Sequence, residues 1–416
     1  MGSLQTEAPY GRKREWEAAR SGPDIFDWIV LALVFGFATN LPRGLFELGG
    51  PPPNLMQVSF VGVAGLAVLG RAQKGRPLFT APTLDLYRPV LAWLLAWVIL
   101  STLGYHLIGL HPQVFDYFIA RLKTPVILLL MLIWVAQLPR PDLFARVMAL
   151  AAVASALIVT YDFFWPTFST VDFRAAGFFT NANQAGQALT LTMTAGLLAV
   201  PMVLRLPYVA LVAAAVVLTF SRASWIVLMV ALLILFWQGE LGFRRQRRLV
   251  GLLAMIGIGA VGLSILSGSL AAFIVTTPLA EYLDANTLAR LGLGDYATDF
   301  SANERRGAAA FAIETYLSSP SPILGEGLGA TMLWDFGVGP HNMYLLFLVE
   351  HGAVGLAFYC WLIFLLFTRS VGPGRIMALG LLVFSLFSHN LLDTPWRVMV
   401  VAFILTTPLQ FPRTTT

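Results

Sequence analysis

The 416-residue chain has a single cysteine, Cys360, and only 12% of its residues are charged. One thiol excludes an internal disulfide framework and any cysteine-based metal site. A soluble globular domain carries charge on about a quarter of its residues. Half that density, with 57% hydrophobic residues, leaves more apolar surface than one water-soluble core can hide. A soluble enzyme and a disordered chain are excluded, and a polytopic membrane protein remains. Several catalytic signatures are missing as well. The chain has no G-x-x-x-x-G-K-[ST] phosphate loop, no H-E-x-x-H, no D-x-D and no G-x-S-x-G, and its five histidines stand singly. An ATP-driven pump, a zinc site, a metal–nucleotide-sugar clamp and a serine elbow therefore have no support. A cleavable leader is not expected either. A polar stretch with Arg12, Lys13, Arg14 and Arg20 precedes the apolar segment from Ile25, and no small-residue cleavage pattern follows it. That segment reads as an uncleaved first span.

What is present is a series of apolar runs near the length of a transmembrane helix. They are 25–40, 55–70, 89–109, 123–138, 143–164, 184–203, 206–221, 223–238, 249–268, 342–367, 375–392 and 395–411. The seventh and eighth are read as a hairpin turning at Ser221-Arg222, because one continuous helix would put Arg222 near the bilayer centre at a cost of several kcal/mol. An even number of spans with both termini cytoplasmic places all but nine of the 27 basic residues on the cytoplasmic side, as the positive-inside rule requires. The net charge of +5 is then a topology signal, and nucleic acid is excluded as a partner. The expectation is an all-α fold of about 12 transmembrane helices forming a single membrane domain over 1–416. One large periplasmic loop, 269–341, contains an amphipathic helix at 303–318 that ends at the Pro320, Pro322, Gly325, Gly327 and Gly329 breakers.

The nine remaining basic residues sit where the rule disfavours them. Arg174 precedes the sixth span, Arg222 marks the hairpin tip, and Arg305 and Arg306 open the loop helix. Convergent arginines suit a pyrophosphate, whose oxygens match the guanidinium fork. Capping a helix or snorkelling to lipid phosphate would account for any one of them taken alone. Arg121 and Lys123, near the outer end of the fourth span, are weaker phosphate candidates for the same reason. His341, at the mouth of the tenth span on the arginine-rich face, has a titration range suited to a general base. His351 and His389 lie in apolar runs and read as packing or hydrogen-bonding residues. Glu350 lies inside the tenth span and reads as a structural hydrogen-bonder in need of a partner. Asp393 and Arg397, flanking Pro395-Trp396, can pair with each other.

Four stretches together resemble the O-antigen ligase and O-antigen polymerase superfamily. Gly177-Phe-Phe-Thr-Asn-Ala-Asn-Gln-Ala-Gly186 is similar to its G-x-F-x-(N/H)-x-N pattern, and Phe220-Ser-Arg-Ala-Ser224 to its S-R-(G/A) hairpin. Arg305-Arg306 followed by Ser321-Pro-Ile-Leu-Gly-Glu-Gly-Leu-Gly329 is similar to an Arg-led helix ending in P-L-L-G-x-G-x-G. His341-Asn342-Met-Tyr-Leu with Glu350-His-Gly-Ala-Val-Gly355 is similar to H-N-x-(Y/F)-L-x(5)-E-x-G-x-x-G. The resemblance covers about 165–365; before that it is one of hydropathy alone.

The resemblance implies a GT-C-like glycosyltransferase of the bacterial inner membrane with no cofactor and no metal. The donor would be a glycan on undecaprenyl pyrophosphate at the periplasmic face, and the acceptor a sugar hydroxyl of lipid A–core. Carried over by motif, His341 is the catalytic base, Asn342 its neighbour in the motif, and Arg222 with Arg305 or Arg306 holds pyrophosphate. An O-antigen polymerase or a protein O-oligosaccharyltransferase is the rival within the superfamily. The compact chain, with one large loop, favours the ligase. A secondary transporter is the rival of another class, but it would show internal repeats and a midplane site on broken helices, and neither is seen in the sequence.

Overall fold

The structure is a computed structural model and describes residues 22–75, 77–170, 174–241, 300–335 and 339–411. It is all-α: among the described residues there is no strand. The helices run α1 Ile25–Ala38, α2 Leu41–Glu47, α3 Pro53–Gln73, α4 Ala81–Leu107, α5 Phe115–Gln137 and α6 Asp142–Phe164. They continue as α7 Ala182–Gly196, α8 Met202–Leu218, α9 Arg222–Trp237, α10 Phe300–Ser318, α11 Met343–Thr368, α12 Pro373–Phe384 and α13 Pro395–Gln410. Five of them are long and apolar enough to cross a membrane, or six if the bent pair α1–α2, with its 64° break, is one span.

Eleven of the expected spans coincide with a helix, while 249–268 and 269–299 lie outside the described residues. The starts differ where a helix opens on polar residues that hydropathy does not register. Thus α4 begins at Ala81 and not at 89, and α5 at Phe115 and not at 123. The hairpin between α8 and α9 is real: Phe220 adopts φ +47, which breaks the helix just before Arg222. The loop helix is also present, as α10. The 375–392 run divides differently, because α12 ends at Phe384 and 385–394 forms an irregular connection.

Burial sorts the helices. Every residue from Trp396 through Thr407 is buried in α13, and α7 is buried from Ala185 to Gly196. These two helices form the centre, with α13 packed on α1, α5 and α12 and α7 packed on α6, α8 and α9. The outer faces of α3, α8 and α9 instead expose large apolar side chains such as Val58, Val203 and Trp237, which water would penalise and hydrocarbon does not. Away from the site, Arg71 of α3 pairs with the buried Asp27 of α1, and Trp134 of α5 donates to the same carboxylate at 3.0 Å.

The glycine-rich stretch after α10 does more than end a helix. Helix α11 is broken at Gly352, which has φ +60 and ψ −154, a conformation that L side chains avoid. A Cβ there would lie 2.4 Å from the Ile323 carbonyl oxygen. The break frees backbone groups about 14 Å into the helix, where only protein can satisfy them. The 321–329 segment does so. Glu326 N donates to Val349 O at 2.9 Å and Gly327 N to Glu350 O at 3.0 Å, while Ala353 N and Val354 N donate to Pro322 O and Ile323 O. Leu328 N also reaches Gly104 O of α4 at 2.9 Å. Two motifs that are separate in sequence thus form one interlocked unit, and a segment read as an external loop is built into the bundle.

Candidate functional site

His341 lies in the turn before α11, with φ +49. The next residue, Asn342, caps the helix: its Oδ1 accepts from Tyr344 N at 2.9 Å and Leu345 N at 3.1 Å. Asn342 therefore holds the His341 turn against the helix start. Asn181 does the same for α7, accepting from Asn183 N at 2.9 Å. The asparagines that stand out in the motifs are thus largely capping residues.

The His341 ring meets the ring of His389 edge to face, with centroids 4.8 Å apart. His389 comes from the α12–α13 connection, and its Nδ1 is buried without a hydrogen-bond partner among the described residues. Burial pushes His389 down to about 3, assisted by the charges of His341, Arg397 and Arg121. His341 is also held below the ordinary histidine range, first by burial and then by the Arg305 guanidinium, against a smaller opposing effect of Glu304. Both rings are neutral near pH 7, so His341 has a lone pair available to take a proton. Arg305, half-buried on the inward side of α10, is the member of its pair that acts on His341, and Arg306 is exposed.

Arg174 is 5% exposed. Its Nε donates to Thr219 O at 3.0 Å, and its Nη2 donates to Asn183 Oδ1 at 2.9 Å and to Phe220 O. Arg174 thus clamps the α8–α9 hairpin to the start of α7. Arg222, at the first position of α9, is exposed directly beyond that clamp. The hairpin is further tied by the Ser221 and Ser224 hydroxyls, 2.9 Å apart. The segment before α7 is gathered by Asp162, whose carboxylate accepts from the backbone N–H groups of Thr167, Phe168, Ala176 and Gly177.

Arg121 is buried and faces carboxylates. It lies 3.2 Å from Asp393 Oδ1 and 3.8 Å from Glu350 Oε2, and it donates to the Tyr117 hydroxyl. Thr331 Oγ1 donates to the other Glu350 oxygen at 3.2 Å. This supplies the partner that an intramembrane Glu350 requires. It also corrects the local pairing expected between Asp393 and Arg397. Asp393 turns to Arg121, while Arg397 donates to Asn390 Oδ1 at 2.8 Å and Gln187 Oε1 at 3.2 Å and lies over the Trp396 ring. Lys123 lines a polar chamber with Asn54, Gln57, Asp393 and Thr394.

The structure therefore sets His341 against His389 within the field of Arg305, and the Arg397–Gln187 bond links the α12–α13 connection to α7, the helix that Arg174 ties to the Arg222 hairpin. The sequence marks His389 as a packing residue, and the structure packs it on the His341 ring; the choice of that neighbour was not legible, although the polar Ser388-His389-Asn390 step inside an apolar run falls in the connection after α12. No group of three or more His, Cys, Asp or Glu side chains is placed to hold a metal among the described residues.

Residues 207–360 match a protein family described as O-antigen ligase. The matched stretch includes Arg222, Arg305, Arg306, His341 and Asn342 and ends before His389. No curated protein matches the chain.

Proposed function

The chain belongs to the O-antigen ligase superfamily, and from that premise we propose that it transfers a glycan from undecaprenyl pyrophosphate to a sugar hydroxyl of lipid A–core at the periplasmic face of the bacterial inner membrane. The observation that carries this reading is the neutral, half-buried His341 held beside Arg305 at the mouth of a span. His341 takes the proton of the acceptor hydroxyl as its oxygen attacks the anomeric carbon. The bond from that carbon to the pyrophosphate oxygen breaks as the new glycosidic bond forms, so a single displacement inverts the anomeric configuration. Arg222 and Arg305 take up the charge that develops on the departing pyrophosphate. Arg174 and His389 are positioning residues: one fixes the hairpin that presents Arg222, the other packs the His341 ring. Arg306 is the outer member of the pair and meets phosphate only at the rim.

The direct test is reconstitution of the purified chain with lipid-linked glycan and three acceptors: lipid A–core, a second lipid-linked glycan, and a Ser/Thr peptide. Product on lipid A–core is expected, with undiminished rate in EDTA because arginines and not a cation carry the leaving-group charge. Product on either other acceptor alone would replace the ligase reading by polymerase or protein glycosylation, and loss of the reaction in EDTA would sink the arginine mechanism.

The pH profile tests the His341–Arg305 pairing. A depressed histidine stays neutral below its ordinary value of about 6.5, so activity should persist below that pH and fall only as pH drops through the lowered value. Arg305→Gln removes a cation that disfavours imidazolium. Its acidic limb should move up toward 6.5, whereas Arg305→Lys should leave the limb in place. A limb that does not move in Arg305→Gln would separate the two residues.

A further inference from the structure

One cavity outside the His341 cluster combines features that no membrane-facing surface needs for packing. A groove of about 540 Å³ runs between α3 and α5, walled by Val58, Val61 and Gly62 on one side and Ile119, Leu122 and Val126 on the other. At one end it shares Asn54, Gln57 and Lys123 with the polar chamber, whose volume is about 130 Å³. An apolar trough thus opens into a small polar pocket with an ammonium at the junction.

Lys123 is the part that asks for a ligand. It lies within a candidate membrane span, Pro112–Gln137, in the third turn of α5. It makes no ion pair with a described residue, and Asp393, the carboxylate of the same chamber, is already paired with Arg121 at 3.2 Å. Lys123 points into this chamber and not only toward the bilayer surface, and an ionisable side chain within a span is stabilised by a counter-charge. Asn54 and Gln57 add amide donors beside it. The chamber, about 130 Å³ and walled by Asn54, Gln57, Lys123, Asp393 and Thr394, has room and polar partners for a phosphate group. The trough suits a single hydrocarbon chain, and the open space at Gly62, where an added Cβ would meet nothing within 4 Å, keeps it wide.

We infer that the α3–α5 groove seats the isoprenoid carrier lipid, with its chain along Val58, Gly62 and Val126 and its chain-proximal phosphate at Lys123. The identity of the lipid rests on the proposed function. The placement agrees with it, because Asp393 and Thr394 of the chamber wall belong to the α12–α13 connection that carries His389, so a lipid seated here presents its head to the His341 cluster. A two-chain phospholipid does not match the single trough.

The test uses the full chain in phosphatidylcholine nanodiscs titrated with undecaprenyl phosphate, which carries no sugar and cannot turn over, with bound lipid counted by native mass spectrometry. Gly62→Phe fills the groove from an unobstructed position, and Lys123→Ala removes the charge. Each should weaken binding by about tenfold or more, the first by occupying the trough and the second by removing one partner of a charge contact. Lys123→Arg should bind like the parent, and so should Val153→Phe, which fills a separate groove walled by Ala149, Leu150 and Val153 of α6 and Leu204 and Leu211 of α8. Unchanged binding in Gly62→Phe and Lys123→Ala, with melting curves like the parent's, would overturn the inference. Equal competition by phosphatidylglycerol would do so too, since it would show a site for bulk anionic lipid. The two readings fail separately. A parent that binds the lipid here yet transfers no glycan sinks the proposed function alone, and a parent that transfers glycan while both variants bind normally sinks the groove alone.

Discussion

His341→Ala is expected to lower the turnover of glycan transfer by about 10²–10⁴-fold, the usual contribution of a positioned general base, while the protein melts as the parent does. The second half of that expectation follows from the surroundings. His341 sits in a turn whose geometry is held by the Asn342 cap and not by its own side chain, and its ring is only partly buried. Truncation therefore removes a lone pair without opening a core cavity. Binding of lipid-linked donor should be little changed, so the loss falls on kcat. His389→Ala supplies the contrast. That side chain touches His341 and not the reacting atoms, so a smaller loss is expected, with a displaced pH profile for the histidine that remains. Full transfer activity in well-folded His341→Ala would remove the base from the mechanism.

Arg121→Met is expected to act on stability first. The guanidinium is 2% exposed and lies between Glu350, itself 1% exposed, and Asp393, and it is surrounded by the Trp97, Tyr117 and Phe347 rings. Removing one partner of a buried pair leaves an uncompensated charge and costs about 3–5 kcal/mol. Methionine keeps most of the volume, so the loss reports the charge and not a cavity. Restoring neutrality with Glu350→Gln and Asp393→Asn in the Arg121→Met background should recover much of the melting temperature, which is the signature of a coupled network. An Arg121→Met protein that melts like the parent but transfers no glycan would instead make Arg121 a phosphate ligand. The carboxylates already on either side make phosphate the weaker competitor for that guanidinium.

The ranking of the arginines shows how sequence position and spatial role part company. Arg222 and Arg305 stand within recognisable motifs and Arg174 just ahead of one, and the sequence places all three on one expected face. In three dimensions Arg174 is spent on the Thr219 and Phe220 carbonyls and Asn183, Arg222 projects from the hairpin so secured, and Arg305 faces His341 while its neighbour Arg306 faces out. Helical periodicity separates 305 from 306 only once it is known which side of α10 lies against α11.

The class of protein, most span positions, the α8–α9 break and the motif residues were determined by the amino-acid sequence itself. Each depends on local quantities: mean hydropathy over about twenty residues, the cost of Arg222 inside a continuous span, and the backbone freedom of glycine and asparagine. The neighbours of His341, the partner of Glu350, the choice of Arg121 over Arg397 by Asp393 and the docking of 321–329 on the Gly352 break were decided only by the tertiary structure. Those contacts join segments far apart in the chain. Inside a bilayer every buried charge and every freed backbone group must find a partner, but which of several chemically adequate partners it finds depends on how the helices pack, and hydropathy carries no record of that.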